Sequence, residues 1–253
     1  MNNPQVVIVT GGGQGIGFGI ATCFARQNAR IVLADINAEL AEKSAKSLIE
    51  AGASDAVGIA CDVMDRASVE AMLKATLAHF DAGVDVLVNN AGICPFVNGL
   101  EIDEATWRRT LDVNLTGAFH CTQIVGKHMI ERAKGGRVVS ITSLSENVSG
   151  PAQVDYAASK AGLRMMTVSF STSLGKHGVT CNCVAPGMIL TDMTRHYWEQ
   201  PGPAAHIKKR VPVGRIGTPE DIGKAVVFLA SPDAEYVNGI TLRVDGGHQA
   251  VCS

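Results

Sequence analysis

Tyr156 and Lys160 are four residues apart in the stretch DYAASK. On a helix this spacing places two side chains on one face, with Cβ atoms roughly 5–6 Å apart. A phenol ionises near pH ~10, and a cation fixed about 4–6 Å away lowers that pKa. The pair could therefore serve as a general base that takes a proton from an alcohol. Tyrosine and lysine at this spacing are also common as surface pairs on helices, so the surrounding sequence must decide.

A glycine-rich turn, TGGGQGIG, occupies residues 10–17, after a short apolar run at residues 5–10 and before a helical pattern. Between a strand and a helix, such a turn presents backbone N–H groups to a diphosphate, and its glycines allow close approach. Two familiar templates fail here, because the spacing G-x-G-x-x-G is absent and Phe18 stands where a P-loop requires lysine. The turn indicates a dinucleotide site, with a simple tight turn as the alternative.

Asp35 ends a second apolar run, residues 30–35, and follows Gly17 by 18 residues. This is close to the ~20 residues expected for the acid that binds the ribose diol of adenosine. A carboxylate there accepts the 2′- and 3′-hydroxyls and repels a 2′-phosphate. Gln14, inside the glycine-rich turn, brings no positive charge for such a phosphate either. Both features favour NAD over NADP, although Asp35 could also be a turn residue at the end of a strand.

The remaining chain alternates between strand and helix patterns. Further strands are predicted at residues 56–61, 84–88, 136–143, 179–185 and 239–244, and helices at residues 38–51, 67–80, 105–132, 153–175 and 219–230. This alternation predicts an α/β fold, a Rossmann-type doubly wound parallel sheet with helices on both faces. Ligands bind such sheets at the carboxyl ends of the strands. Thr10, Asp35, Asp62 and the pair Asn89 and Asn90 all fall at predicted strand ends.

The composition favours one globular domain over the 253 residues, with an irregular lid at about residues 188–211. The net charge of −2 and the pI near 6.4 argue against a nucleic-acid or anionic-membrane surface. We see neither a signal peptide nor a membrane span, so a cytoplasmic location is expected. The seven cysteines are scattered and read as free buried thiols. Cys181 and Cys183 share a strand face, but no further ligands for a metal are nearby.

Two more polar residues stand out. Asn114 lies inside a predicted helix, where asparagine has poor propensity. It either caps a kink or serves a site. Ser143 ends the predicted strand at residues 136–143 and precedes Tyr156 by thirteen residues, which is enough chain to turn back toward a helix that carries Tyr156 and Lys160.

Together these motifs resemble the short-chain dehydrogenase/reductase family, from Thr10 to Gly247. The resemblance implies the strand order 3-2-1-4-5-6-7 and, usually, a homotetramer. It implies a catalytic tetrad of Asn114, Ser143, Tyr156 and Lys160, and no metal. It also implies a cofactor site made by Gly11, Gly13, Gln14, Gly15, Ile16, Gly17, Asp35, Ile36, Asp62, Val63, Asn89, Ala91, Gly92, Tyr156, Lys160, Pro186, Gly187, Ile189 and Thr191.

The mechanism implied by this resemblance is a proton transfer coupled to a hydride transfer. Tyr156 would take the hydroxyl proton of the substrate while a hydride leaves for C4 of the nicotinamide. Ser143 would donate a hydrogen bond to the substrate oxygen. Lys160 would lower the pKa of the phenol and bind the nicotinamide ribose. Asn114 would hold a water that connects Lys160 to solvent.

The expected substrate pocket is largely polar. Its candidate residues are Cys94, Ser143, Ser145, Glu146, Gln153, Tyr156, Met188, His196 and Trp198. Polar groups that must bind several hydroxyls favour a sugar, polyol or sugar acid, because apolar analogues would leave them unpaired. This reading weakens if Glu146 and Asn147 point to solvent.

Two alternatives stay open at this point. One is a 3-oxoacyl carrier or CoA-type reductase, for which Lys208, Lys209 and Arg210 are a cluster that could serve an anionic substrate. Such reductases usually take NADPH, which Asp35 and Gln14 disfavour. The other is a non-catalytic NAD-binding regulator on the same fold. Such proteins commonly lose the tyrosine or the lysine, and both are present here.

Overall fold

One parallel sheet organises the protein. The computed structural model describes residues 4–191, 194–195 and 210–251, and in these residues seven strands lie in the order β3-β2-β1-β4-β5-β6-β7. The predicted strand order is therefore confirmed. The strands are β1 Val6–Thr10, β2 Arg30–Asp35, β3 Asp55–Ala60, β4 Val86–Asn89, β5 Gly136–Ile141, β6 Val179–Pro186 and β7 Thr241–Val244.

Helices cover both faces of this sheet. They are α1 Gly15–Ala25, α2 Ala38–Glu50, α3 Arg66–Phe80, α4 Glu104–Leu111, α5 Gly117–Arg132, α6 Val154–Gly175 and α7 Pro219–Ala230. Several begin at side chains that accept a hydrogen bond from the first turn, as Asn37 does for α2 and Asp65 for α3. At α7, Thr218 and Asp221 form a reciprocal capping box.

Alternate residues of the central strands enter two separate hydrophobic cores. Val7 and Val9 of β1 pack with α1, α2 and α7, where Phe24, Leu48 and Leu229 are buried. Val6 and Ile8 point to the opposite face, where the side chains of α3, α5 and α6 pack. Burial on both faces explains why β1 is apolar without interruption. The sheet is thereby held rigidly, and its carboxyl edge can position polar groups.

The predicted helix at residues 105–132 is interrupted. A π-helical turn, Asp112–Thr116, separates α4 from α5, and Asn114 lies at its centre. A single π turn inside a helix often occurs at a functional site. Here the side chain of Asn114 bonds to the main chain of Ile93, so the turn is widened where the asparagine must reach another segment. Asn114 therefore lies in an irregular turn at the edge of the candidate site.

Other boundaries differ from the sequence-based predictions by one or two residues. Strand β4 begins at Val86 rather than at residue 84, and the side chain of Asp85, just before it, accepts from the Val6 N–H and from Arg132. Among the described residues, no helix is long and apolar enough to cross a membrane. The six described cysteines are free thiols, and five of them are buried.

Candidate active site

Helix α6 carries Tyr156 and Lys160 on one face, one turn apart. The Lys160 ammonium lies 5.5 Å from the centre of the Tyr156 ring and donates a 2.9 Å hydrogen bond to the carbonyl of Ile141. Lys160 is only 4% exposed. Since Ile141 is the last residue of β5, this bond fixes the lysine at the carboxyl edge of the sheet.

Asn114 joins this group through the main chain of Ile93. Its Oδ1 accepts from the Ile93 N–H at 2.8 Å, and its Nδ2 donates to the Ile93 carbonyl at 2.9 Å and to Ser159 Oγ at 3.0 Å. A Cβ placed on Gly92 would lie 3.2 Å from Asn114 Oδ1 and 3.4 Å from Lys160 Nζ. The segment after β4, the π turn and helix α6 therefore meet at one point.

Ser143 reaches the same place from the end of β5. Its backbone is extended, with φ −169°, and a short 3₁₀ turn, Leu144–Glu146, follows it. Ser143 Oγ accepts from the Ser145 N–H at 3.1 Å, and the Ser143 hydroxyl faces the Tyr156 hydroxyl, whose pKa it acts to lower. The twelve residues between β5 and α6, residues 142–153, turn back so that Ser143 faces Tyr156, as the thirteen-residue spacing of these two residues predicted.

The electrostatics of the pair differ from the expectation that Lys160 lowers the pKa of Tyr156. Burial raises the pKa of Tyr156 to about 12, against which the Ser143 hydrogen bond acts. Burial likewise lowers the pKa of Lys160 to about 8. Desolvation disfavours the charged form of each group and is the largest cause of both shifts. In the protein alone, the phenol is therefore a proton donor at neutral pH.

The glycine-rich turn forms a cradle at the start of α1. Gly11 has φ +59°, a conformation that favours glycine, and a Cβ on Gly17 would collide with the carbonyl of Gly11. Asp35 Oδ2 accepts from the Gly13 N–H at 3.0 Å, so the carboxylate lies beside the turn. A Cβ on Gly15 would lie 3.7 Å from the Thr191 side chain, which closes the cradle from the β6 side. These features fit a nicotinamide dinucleotide.

The outer end of this cradle lies at β2 and β3. Ile36, directly after Asp35, is 71% exposed. Asp62 turns its carboxylate to its own loop, where Oδ1 accepts from the Met64 N–H at 2.9 Å, and Val63 is buried next to it. The Asp62 main chain and the exposed Ile36 border the region where an adenosine would lie.

The first asparagine of the NNAG motif does not face the cradle. Asn89 is buried and donates from Nδ2 to Thr122 Oγ1 at 2.8 Å and to Ser140 Oγ at 3.4 Å. The Asn89 side chain therefore joins β4 to α5 and β5, and its predicted contribution to the cofactor site stays a prediction. The neighbouring Asn90 instead donates to the carbonyls of Thr10 and Gly11, both at 2.9 Å. It joins the glycine-rich turn to the end of β4, a role that the sequence reasoning missed.

The described substrate candidates divide into two groups. Gln153 Nε2 donates to Cys94 Sγ at 3.6 Å, beside Tyr156 and Lys160, and Ser145 sits in the turn after Ser143. Met188 and Ile189 line a cavity of about 200 Å³ with Val244 and Asp245. His196 and Trp198 lie outside the described residues, as does most of the predicted lid.

Glu146 belongs to neither group, because it turns inward. Its side chain is 2% exposed, and Oε1 lies 3.9 Å from Arg164 Nε on α6. Burial raises the pKa of the Glu146 carboxyl. The prediction that Glu146 lines the substrate pocket is thus replaced, and so is the alternative that it points to solvent. A lone glutamate near Ser143 gave no signal of its partner, which is eighteen positions further along the chain.

A family model described as enoyl-(acyl carrier protein) reductase, of the short-chain dehydrogenase/reductase type, matches residues 11–249. The chain belongs to the short-chain dehydrogenase/reductase family. The resemblance inferred from its motifs is confirmed, and as a short-chain dehydrogenase/reductase the protein is an oxidoreductase of CH–OH groups.

Similar members of the short-chain dehydrogenase/reductase family cover nearly the whole chain. L-rhamnose 1-dehydrogenase (NAD(P)(+)) of Azotobacter vinelandii is 39% identical over 246 residues, covering 96% of each chain. D-threitol dehydrogenase of Mycolicibacterium smegmatis is 40% identical over 245 residues, covering 96% of this chain and 92% of the relative. Other relatives are named 3-oxoacyl-[acyl-carrier-protein] reductases.

The solved structure of 7α-hydroxysteroid dehydrogenase complexed with NADH and 7-oxo glycochenodeoxycholic acid is also similar. It superposes with a TM-score of 0.90 at 32% identity, covering 96% of this chain and 93% of that one. The fold is thus shared by family members whose names indicate very different substrates, and the substrate of this protein must be argued from its own residues.

Proposed function

We propose that this protein is an NAD-dependent dehydrogenase that interconverts a secondary alcohol and a ketone, or a lactol and a lactone, in a sugar, polyol or sugar acid. The observation that carries this proposal is the meeting of Ser143, Tyr156 and Lys160 at the end of β5, beside the glycine-rich cradle. A hydroxyl pair held against a buried ammonium is suited to moving a proton at a substrate oxygen.

The proposed proton transfer uses groups of this chain. Tyr156 accepts the proton of the substrate hydroxyl during oxidation and returns it during reduction. Ser143 donates a hydrogen bond to the substrate oxygen and holds it near the phenol. Lys160 stabilises the phenolate when it forms, and Asn114 keeps the Gly92–Ile93 segment in place beside the lysine. The bound nicotinamide would supply the hydride acceptor or donor.

Preference for NAD over NADP is proposed from Asp35. Both oxygens of its carboxylate accept main-chain hydrogen bonds, from Gly13 and Asn37, each at 3.0 Å. The negative charge is thereby fixed next to the position of the adenosine ribose, where it favours a diol and repels a phosphate. Gly11, Gly13, Gln14, Gly15, Ile16 and Gly17 would hold the diphosphate, and Pro186, Gly187, Ile189 and Thr191 the nicotinamide.

The substrate class is proposed from the polar groups beside Tyr156. Gln153 offers an amide whose described hydrogen-bond acceptor is the weak thiol of Cys94, so a substrate hydroxyl can replace that contact. Ser145 adds a hydroxyl from the turn after Ser143. Such groups suit neighbouring hydroxyls of a polyol. The names of the rhamnose and threitol relatives agree with this class.

We further propose a cytoplasmic homotetramer without nucleic-acid or membrane partners. The acidic net charge of −2 supports the absence of a nucleic-acid partner. Partly exposed apolar side chains on α5 and α6, Phe119 and Met165 among them, support assembly. Sedimentation of the purified protein would measure the number of subunits.

The decisive experiment is NADH formation at 340 nm with a panel of sugars, polyols, sugar acids and hydroxyacyl thioesters, with NAD and NADP in parallel. Tyr156→Phe should reduce turnover by roughly 10²–10⁴-fold, since general acid–base catalysis contributes about that much. NADH binding, followed by its fluorescence, should change little. Turnover confined to the hydroxyacyl thioesters with NADP would favour the 3-oxoacyl reductase. NADH binding without any turnover would favour the regulator.

A further inference from the structure

An ion pair between the buried Glu146 and the partly exposed Arg164 connects the two elements that carry the catalytic hydroxyls. Glu146 ends the 3₁₀ turn that begins directly after Ser143. Arg164 lies on α6, four residues after Lys160, and its Nε is 3.9 Å from Glu146 Oε1. The pair is therefore a side-chain link between the Ser143 turn and the helix of Tyr156 and Lys160.

The conformation of Ser143 depends on this turn. The Glu146 N–H donates to the Ser143 carbonyl at 3.0 Å, and the Ser145 N–H donates to Ser143 Oγ at 3.1 Å. Further along, the N–H groups of Asn147 and Val148 donate to the Leu144 carbonyl at 3.0 and 3.1 Å. A turn of three residues has no core of its own, so an anchor at its last residue sets its orientation.

The surroundings of Glu146 identify Arg164 as this anchor. The carboxylate also faces the hydroxyls of Thr142 and Thr241, the Asn147 amide and the Cys183 thiol, and Arg164 is the one charged partner among these described groups. Glu146 Oε2 is buried without a hydrogen-bond partner. Burying a carboxylate in this way is costly unless an opposite charge offsets it. Apolar replacement of a buried ion pair is often neutral or stabilising, so such a pair is weak evidence for a role in stability.

We propose that the Glu146–Arg164 ion pair fixes the Ser143 turn against helix α6, which makes Glu146 a positioning residue for the Ser143 hydroxyl. The inference rests on the proposed function of this site. The Ser143 hydroxyl must lie close to both the Tyr156 hydroxyl and the substrate oxygen. Ser143 belongs to the turn after β5 and Tyr156 to α6, so these two elements must keep a fixed relative position. The ion pair removes the freedom of one element relative to the other.

The test compares Glu146→Gln, Arg164→Met and the double variant with the wild-type protein. Each single change should lower kcat by about ten- to a hundredfold, because a displacement of about 1 Å can cost 10²-fold. The NADH dissociation constant should stay within about twofold. The double variant should lose no more than either single one, because both act through the same contact. Glu70→Gln, which breaks the exposed Arg66–Glu70 pair, serves as the control with unchanged kcat.

Hydrogen exchange of the apoprotein gives a readout that needs no substrate. The amides of residues 146–148 should exchange faster in both single variants, with α6 unchanged. Unaltered exchange of this turn, or full kcat in folded Glu146→Gln, would overturn the proposal. If the wild-type protein oxidises nothing in the panel, the proposed function fails, while the exchange of the turn still decides whether the ion pair holds it.

Discussion

Thr110 Oγ1 donates a 2.6 Å hydrogen bond to Oδ2 of Asp155, a carboxylate with no exposed surface. Thr110 belongs to α4, just before the π turn, and Asp155 directly precedes Tyr156 on α6. Oδ1 of Asp155 is buried without a hydrogen-bond partner. Together with the bond from Asn114 to Ser159, this contact joins the interrupted helix to the helix of the catalytic tyrosine.

Replacement of Thr110 by valine should destabilise the protein by about 1–3 kcal/mol, the usual cost of leaving a buried polar group without its partner. Thr110→Ser keeps the hydroxyl and should cost much less. In an Asp155→Asn background the valine should be better tolerated, because no charge remains to be solvated. Urea unfolding of the wild-type protein, the two Thr110 variants, Asp155→Asn and the Asp155→Asn/Thr110→Val double variant measures these differences, and equal losses in the valine and serine variants would contradict the assignment.

The hydrogen bond from Ser143 should be visible in the pH dependence of oxidation. Burial raises the pKa of Tyr156 and the Ser143 bond lowers it, while oxidation requires the deprotonated phenol. The value of kcat/KM at saturating NAD should therefore rise with pH. In Ser143→Ala the rise should move upward by about 0.5–1 pH unit, the equivalent of one hydrogen bond. Ser149→Ala, which changes an exposed serine, is the control, and an unchanged or downward shift in Ser143→Ala would refute the contact.

The cofactor preference should respond to two adjacent residues. Asp35→Ser removes the charge beside the ribose, and Ile36→Arg can be accommodated because Ile36 is 71% exposed. An arginine there would bind a 2′-phosphate. The double variant should raise the preference for NADP, measured as kcat/KM with NADP divided by kcat/KM with NAD, by about a hundredfold or more. A charge-assisted hydrogen bond contributes about 1.5–3 kcal/mol. Glu39→Gln removes a nearby charge from α2 and should leave the ratio unchanged.

His128 should make the stability of the fold depend on pH. Its Nε2 accepts a 3.2 Å hydrogen bond from the Val84 N–H, which requires the neutral ring. Burial, with Arg132 nearby, lowers the pKa of His128 below its usual value of 6.5. The unfolded chain then binds the proton more readily than the folded one. The contribution of neutral His128 to the free energy of unfolding is therefore complete above pH 6.5 and is lost as the pH falls.

His128→Gln keeps an acceptor that does not titrate. The free energy of unfolding should therefore fall less between pH 7.5 and 5.5 than in the wild-type protein. In the control His177→Gln, which changes an exposed histidine, the free energy of unfolding should fall with pH as much as in the wild-type protein. Parallel urea curves at both pH values give the comparison, and identical slopes for wild type and His128→Gln would argue against the neutral acceptor.

Residues whose position follows from a local repeat could be placed from the sequence. Tyr156 and Lys160 share a helix face because four residues make about one turn, and Asp35 ends β2 because its strand is an apolar run closed by a carboxylate. Partners chosen by packing could not be placed this way. The sequence offers no reason why Asn89 bonds Thr122 while Asn90 bonds Thr10, or why Glu146 finds Arg164.

The pKa of Tyr156 illustrates the same limit. The spacing to Lys160 correctly predicted proximity, but the sign of the shift depends on how much water reaches both groups. Ile141, Gly92 and Ser143, which come from three different parts of the chain, lie beside the two groups. The spacing of two residues on a helix follows from the sequence between them, whereas their burial depends on segments that are distant in the sequence.

The π turn at Asp112–Thr116 also has a consequence for comparing or editing this chain. A π turn holds one residue more than an α turn, and here the widened backbone lets Asn114 reach Ile93. A deletion of one residue at this place would let the helix return to ordinary winding, and Asn114 would lose its contact with Ile93. A sequence alignment that closes the gap here, or a graft that straightens the helix, would therefore keep every motif and still remove that contact.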